Sequence, residues 1–220
     1  IHLKAVRRAV QRALLVADMP YGSFHTGDDE AVRNALRLVK EGGAEAIKLE
    51  GGHKRVHLVK RLVDEEISVM GHIGLTPQSI NQLGAYRVQG KTAKAAQQLI
   101  DDAKAMEDAG AFAVVLEVVP REIAKVITES ISIPTIGIGA GVHCDIQVLV
   151  LHDMLGLSFG KQARLVRAYA NLREVMTDAV SRYADDVRNG TYPSEAESYA
   201  IPAETAEQLD IETAARDSKA

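Results

Sequence analysis

Five ionisable residues stand at or near the ends of short apolar runs, where charged side chains contrast with their neighbours. They are Asp18 in ALLVADMP, Lys48 and Glu50 in AIKLEGG, His72 in VMGHIG and Glu117 in AVVLEVVP. Burying a charge is costly unless it is paired or binds a metal, so five such residues indicate a shared site. The carboxylates of Asp18 and Glu50 suit Mg²⁺. Lys48, which projects from the same strand face as Glu50, suits an anionic substrate.

Each of these residues has a simpler explanation when it is taken alone. Asp18 precedes a proline-containing segment and would begin a turn. Lys48 and Glu50 would form an ion pair without a ligand, and Glu117 would pair with Lys48. His72 would be a hydrogen-bonded core histidine. The set as a whole favours a functional site more strongly than any one member does.

These residues belong to an alternation of short apolar runs and amphipathic segments. We predict strands within residues 13–19, 44–50, 68–74, 111–119 and 134–139, whereas residues 147–153 fit a strand or a buried helix equally well. We predict helices over residues 30–41, 56–66, 92–109 and 121–130, the first of them capped by Asp28. Apolar strands separated by helices predict an α/β fold with a parallel sheet, whose site lies at the carboxyl ends of the strands.

The C-terminal part of the chain has a different pattern. After Gly160 we predict helices only, over residues 161–188. We assign residues 1–192 to a single barrel domain with these C-terminal helices. Residues 193–220 are rich in Glu, Ala, Ser and Thr, and we expect them to form a disordered acidic tail.

Composition excludes several classes of protein. The formal net charge is −4, and no basic cluster is present, so we expect neither nucleic acid nor a membrane as partner. No apolar run approaches the roughly 20 residues that span a bilayer. The single cysteine, Cys144, cannot form an internal disulfide, which favours a cytoplasmic location. Cys144 and its polar neighbours match no zinc motif, and Gly137-Ile138-Gly139-Ala140-Gly141 lacks the spacing of a phosphate-binding loop.

Six segments together resemble the ketopantoate hydroxymethyltransferase family. They are VADMPYGS, AIKLEGG, GHIGLTPQS, VLEVVP, IPTIGIGAG and CDIQVLVLHDMLGL, within residues 5–199. The resemblance implies a (β/α)₈ TIM barrel of the phosphoenolpyruvate/pyruvate type, assembled as a decameric homo-oligomer. It also implies transfer of a hydroxymethyl group from 5,10-methylenetetrahydrofolate to 3-methyl-2-oxobutanoate through a Mg²⁺-stabilised enolate. The product would be 2-dehydropantoate, for pantothenate and coenzyme A biosynthesis.

The same resemblance implies a role for each of the five residues. Asp18 and Glu50 match Mg²⁺ ligands of the family. Asp18 and Lys48 match residues that contact the keto acid, and His72 matches a histidine that lines the same site. Glu117 matches the proton acceptor proposed for the family, and a proton shuttle to the folate amine stays open as an equal alternative role.

The chain departs from the family pattern in two places. The first two β/α units, with a further metal carboxylate, have no counterpart here, so residues 13–19 would be the third strand. We expect the missing part to exist in the native protein, or this chain to be inactive. Ile146 stands where the family has glycine, and a branched residue suits a positive φ poorly. If the backbone there has a positive φ, we expect the loop to shift and folate binding to suffer.

Two other functions stay open on the sequence alone. One is a different Mg²⁺-enolate C–C lyase on the same barrel, although the Lys-Lys-Cys-Gly-His type of segment usual in such lyases is absent. The other is a non-catalytic barrel subunit that serves as a scaffold. Metal binding separates the scaffold from the enzymes, since a scaffold has no need of it.

Overall fold

The computed structural model describes residues 1–211 of the chain. These residues form two compact units. The first comprises Ile1–Met154 and Phe159–Arg167, and the second comprises Leu155–Ser158 and the chain from Ala168 onward. All five candidate site residues belong to the first unit.

The first unit is built on a parallel sheet of six strands. In chain order they are β1 Val16–Asp18, β2 Ala46–Glu50, β3 Val69–Gly74, β4 Ala113–Glu117, β5 Thr135–Ile138 and β6 Ile146–Gln147. Their order in the sheet is also the chain order, with β1 and β6 at the edges. In a doubly wound sheet the strand order reverses at a switch point. Parallel strands that follow one another in chain order are instead the pattern of a barrel wall. The predicted parallel α/β architecture is therefore confirmed.

Seven helices of the first unit connect or precede these strands within the described residues. They are α1 His2–Ala9, α2 Asp28–Lys40, α3 Val56–Asp64, α4 Ile80–Leu83, α5 Ala93–Asp108, α6 Arg121–Ser130 and α7 Leu151–Met154. Short 3₁₀ turns lie at His53–Arg55 and Pro77–Ser79. The four predicted helices are confirmed, but the prediction that Asp28 caps α2 is wrong. Gly27 is the N-cap, and Asp28 is the first helical residue, where an acidic side chain interacts favourably with the helix dipole.

Alternation along the strands separates an outer face from an inner one. Ile47 and Leu49 of β2 pack in a cluster with Leu58, Val59 and Leu62 of α3. Because successive strand residues point to opposite faces, Lys48 and Glu50 project from the inner face.

On β4, Val114 and Leu116 likewise pack in a helix-lined cluster, so Glu117 projects inward with Val115. The outer core thereby fixes which side chains reach the inner face.

Two predictions from the second half of the chain need correction. The segment 147–153 is neither one strand nor one helix, because Gln147 ends β6 and α7 starts at Leu151. The helix predicted from residue 161 begins only at Leu172, as α8 Leu172–Asn189. Leu165 lies against the backbone of Gly139, which follows β5, and such a tertiary contact overrides helix propensity.

The second unit contains α8 and a shorter C-terminal helix. A 3₁₀ turn at Glu195–Glu197 is capped by Ser194, and α9 spans Ala203–Gln208. Residues 212–220, part of the predicted tail, lie outside the described residues, so the domain boundary and the disordered tail stay predictions. Within the described part of the chain, no helix is both long and apolar enough to cross a membrane.

Candidate active site

A row of polar side chains crosses the inner face at the carboxyl ends of the first four strands. Lys48 Nζ lies 2.9 Å from Asp18 Oδ2 and 3.2 Å from His72 Nδ1. His72 Nε2 lies 3.2 Å from Glu117 Oε2, and its Nδ1 lies 3.8 Å from Glu50 Oε1. The register of the sheet produces this row, since Asp18 pairs with Lys48 and Glu50 pairs with His72. The structure thus brings together all five residues that the sequence singled out.

The contacts of His72 determine which ring nitrogen carries hydrogen. A lysine ammonium has three donors and no acceptor, so Nδ1 must accept from Lys48. In the neutral ring the hydrogen is therefore on Nε2, the nitrogen nearer Glu117. The Glu117 oxygen is close but lies off the direction of a hydrogen bond, and Nε2 has no hydrogen-bond partner among the described residues. With the His72 side chain only 3% exposed, Nε2 is a buried donor that is left unsatisfied.

Glu50 is a buried carboxylate whose charge is incompletely compensated. Its side chain is 6% exposed, and its Oε2 accepts the backbone N–H of Gln78 at 3.0 Å. Burial raises the pKa of Glu50. The electrostatic influence of His72, the Gln78 hydrogen bond and the Lys48 ammonium oppose this rise, whereas the Asp18 carboxylate adds to it. The ionised form of Glu50 would therefore be stabilised by a nearby cation.

Asp18 and Glu50 fit a hard divalent cation. The Asp18 side chain is 54% exposed at the end of β1, and it is close enough to Glu50 to influence its ionisation. No group of three or more His, Cys, Asp or Glu side chains within residues 1–211 is arranged to hold a metal. Mg²⁺ usually takes one or two protein carboxylates and completes its shell with water and substrate oxygens. Asp18 and Glu50 together provide the number of protein carboxylates that Mg²⁺ commonly takes.

The residue after Glu117 has an unusual backbone conformation that the sequence did not indicate. Val118 has φ of +51°, a value that a β-branched residue rarely adopts. Three hydrogen bonds hold the segment: Leu75 N–H to Glu117 O at 2.7 Å, Val118 N–H to Ile138 O at 2.8 Å, and Gln89 N–H to Val118 O at 3.0 Å. Such strain typically costs about 1–3 kcal/mol and concentrates at functional sites.

Ile146 does not have the conformation that would require glycine. It lies in β6, pairs with Ile136 of β5, and is not among the residues of positive φ. The condition for a shifted loop is therefore not met.

The polar residues after β5 have a structural role. Asp145 Oδ2 accepts both the backbone N–H of Thr135, at 2.8 Å, and its hydroxyl, at 3.0 Å, and Thr135 is completely buried. These hydrogen bonds lower the pKa of Asp145. Burial raises the pKa of the Cys144 thiol, which disfavours the reactive thiolate. Asp145 thus fixes the start of β5 rather than taking part in the row of polar side chains.

Sequence reasoning missed Gln78, which contacts the ends of two strands. Its backbone N–H bonds to Glu50, and its side-chain amide donates to Met19 O at 2.9 Å. The motif GHIGLTPQS contains this residue, but no periodicity or charge distinguishes it.

Comparison with known proteins agrees with the motifs on which the site is built. The solved structure of a putative phosphonomutase from Burkholderia cenocepacia J2315 aligns with 85% of this chain and 75% of its own, at 12% identity and a TM-score of 0.48. The 3-methyl-2-oxobutanoate hydroxymethyltransferase of Koribacter versatilis is 55% identical over 210 residues, 96% of this chain and 71% of the relative. The Clostridioides difficile protein of the same name is 50% identical over 208 residues, 94% of this chain and 76% of the relative. The family model described as ketopantoate hydroxymethyltransferase matches residues 1–195, and the chain belongs to that family.

Proposed function

We propose that this chain transfers a hydroxymethyl group to 3-methyl-2-oxobutanoate, giving 2-dehydropantoate, with 5,10-methylenetetrahydrofolate as the donor. The observation that supports this most is the row from Asp18 through Lys48 and His72 to Glu117, beside the buried carboxylate of Glu50. It combines groups suited to a cation, to an anionic substrate and to proton transfer at one end of the sheet. The relatives described above carry the name of the same activity.

The Asp18 and Glu50 carboxylates would hold Mg²⁺. When bound, the ion would supply Lewis-acid polarisation of the keto acid. The Lys48 side chain is 17% exposed, and its ammonium lies beside Asp18. From this position the ammonium would also pair with the carboxylate of the substrate.

Glu117 would remove the proton from C3 of the keto acid. Its side chain is 16% exposed, which leaves the carboxylate accessible from the inner face while apolar neighbours surround its strand. A correctly positioned general base contributes about 10²–10⁴ in rate. The hydrogen on His72 Nε2 is adjacent to Glu117 and would stabilise its charge before the proton is taken.

Three further expectations belong to the same proposal. The six sequential strands would form part of a (β/α)₈ barrel of the phosphoenolpyruvate/pyruvate type, closed by two further β/α units. The protein would assemble as a homo-oligomer, a decamer by family resemblance. It would act in the cytoplasm, in keeping with its single buried cysteine.

The test is formation of 2-dehydropantoate from the keto acid and 5,10-methylenetetrahydrofolate, followed by mass spectrometry with and without Mg²⁺. We expect Mg²⁺-dependent product from the native protein and a loss of about 10²-fold or more in its Glu117→Gln variant. The matched control is Glu129→Gln, the same change on an exposed side chain paired with Lys125. A folded native protein that binds Mg²⁺ but forms no product would contradict the transferase proposal. A folded chain that does not bind Mg²⁺ would point to a scaffold.

A further inference from the structure

A side chain without an assigned role connects the ends of two strands that are not neighbours. Gln78 lies in the 3₁₀ turn after β3, and its side-chain Nε2 donates to Met19 O, just beyond β1, at 2.9 Å. Its backbone N–H donates to Glu50 Oε2, at the end of β2, at 3.0 Å. Because β2 separates β1 from β3 in the sheet, this one residue spans the end of β2.

The orientation of the Gln78 amide follows from its partner. A backbone carbonyl oxygen only accepts, so the nitrogen of the amide must face Met19. The amide oxygen is then left buried, without a hydrogen-bond partner in the described part of the chain. A buried acceptor without a partner destabilises the fold.

Both groups that Gln78 holds adjoin a carboxylate of the candidate cation site. Met19 follows Asp18 directly, is fully buried, and donates its own N–H to Lys48 O at 2.9 Å. The second group is an oxygen of Glu50 itself. Gln78 therefore fixes the main chain beside Asp18 relative to the side chain of Glu50.

We propose that Gln78 is a positioning residue for the divalent cation, which sets the separation of the Asp18 and Glu50 carboxylates. This inference rests on the proposed function, since it requires that these two carboxylates bind Mg²⁺. Groups that orient metal ligands typically change metal affinity by about 10–100-fold when they are mutated. Because its backbone N–H persists in any non-proline variant, the side-chain contact can be tested separately.

The experiment is calorimetric titration of the full chain with MgCl₂, in the absence of substrate. Gln78→Met keeps the length of the side chain and removes its amide. Gln78→Asn keeps an amide that is one methylene too short to reach Met19. The matched control is Gln97→Met, since Gln97 is an exposed residue of α5 whose amide donates to Asp101 at 2.9 Å. We expect Kd to rise about tenfold or more in both Gln78 variants and to stay within about twofold of wild type in Gln97→Met.

Thermal melting in EDTA separates positioning from a general structural role. If Gln78 served only the fold, its variants would melt earlier and still bind Mg²⁺ with the affinity of wild type, which would overturn this inference alone. Where Gln78→Met does not fold, the affinity of the milder Gln78→Asn decides. If the unaltered chain does not bind Mg²⁺, both this inference and the metal site of the proposed function are wrong.

Discussion

His72 and Glu117 lie side by side across neighbouring strands, with His72 Nε2 3.2 Å from Glu117 Oε2. The other ring nitrogen of His72 accepts from Lys48, so one imidazole joins the cationic and the anionic parts of the site. Its side chain is almost completely buried, and neither contact is easily replaced by water. The position of this ring thus connects the group proposed to bind the substrate with the group proposed to remove its proton.

This relationship predicts different outcomes for two substitutions at position 72. His72→Asn keeps an oxygen that can accept from Lys48 but is too short to reach Glu117. We expect a stability near that of wild type and a kcat lower by at least about tenfold, equal to about 1.4 kcal/mol. His72→Phe leaves the Lys48 ammonium without this acceptor, so we expect an additional loss of about 1–3 kcal/mol in the free energy of unfolding.

Steady-state kinetics and urea denaturation measure these two effects separately. An unchanged kcat in His72→Asn would show that the contact with Glu117 does not matter for turnover. Equal stability of the Asn and Phe variants would show that the contact with Lys48 contributes nothing to the fold.

The raised pKa of Glu50 predicts that the stability of the metal-free fold depends on pH. Its pKa in the folded chain is raised above the ordinary 4.5, mainly by burial, so the folded chain binds this proton more tightly than the unfolded chain. Ionised Glu50 therefore destabilises the fold above its raised pKa, and this effect disappears as the pH falls towards about 4.5. In EDTA at neutral pH, Glu50→Gln should melt at a higher temperature than wild type, by about 2–4 °C for each kcal/mol relieved.

The control for Glu50→Gln is the exposed Glu129→Gln, which should change stability by no more than about 0.5 kcal/mol. Adding Mg²⁺ should raise the melting temperature of wild type more than that of Glu50→Gln, because binding to the folded state stabilises it. A Glu50→Gln variant that melts earlier than wild type in EDTA at neutral pH would contradict this account of the buried carboxylate.

Val118 predicts an unusual tolerance of glycine beside the site. At φ of +51° a non-glycine residue is strained by about 1–2 kcal/mol, which Val118→Gly would relieve. This gain offsets the greater entropy of glycine in the unfolded chain, so the free energy of unfolding should change by less than about 1 kcal/mol. Val119→Gly, at a residue that is 2% exposed and packed in the core, should cost more than about 2 kcal/mol. Equal losses in the two variants, measured by denaturant unfolding, would show that Val118 is not strained.

Much of the fold and the row of site residues could be predicted from the sequence. Apolar runs that end in a charged residue strongly indicate a functional site, because a parallel sheet places the carboxyl ends of all its strands together. Asp18, Lys48 and Glu117 accordingly lie where the pattern indicated. The prediction of a helix was wrong for residues 161–171, since α8 begins at Leu172. This segment is held by the contact of Leu165 with Gly139, which joins residues far apart in the chain.

Two features of the site leave no trace in local sequence patterns. Gln78 acts through a backbone N–H and an amide whose partners are 28 and 59 positions away. The positive φ of Val118 opposes the preference of its own side chain and is imposed by hydrogen bonds from other segments. Both depend on tertiary contacts that only a structure reveals.

The most direct test of the proposed mechanism is exchange of the C3 proton of 3-methyl-2-oxobutanoate in D₂O, followed by NMR without folate. The account predicts exchange that requires both the chain and Mg²⁺, that falls by about 10²-fold or more in Glu117→Gln, and that persists in Glu129→Gln. Exchange at the wild-type rate in Glu117→Gln would contradict the role of Glu117 as the base. No exchange by a folded native protein that binds Mg²⁺ would contradict the account of this site as a centre for proton removal.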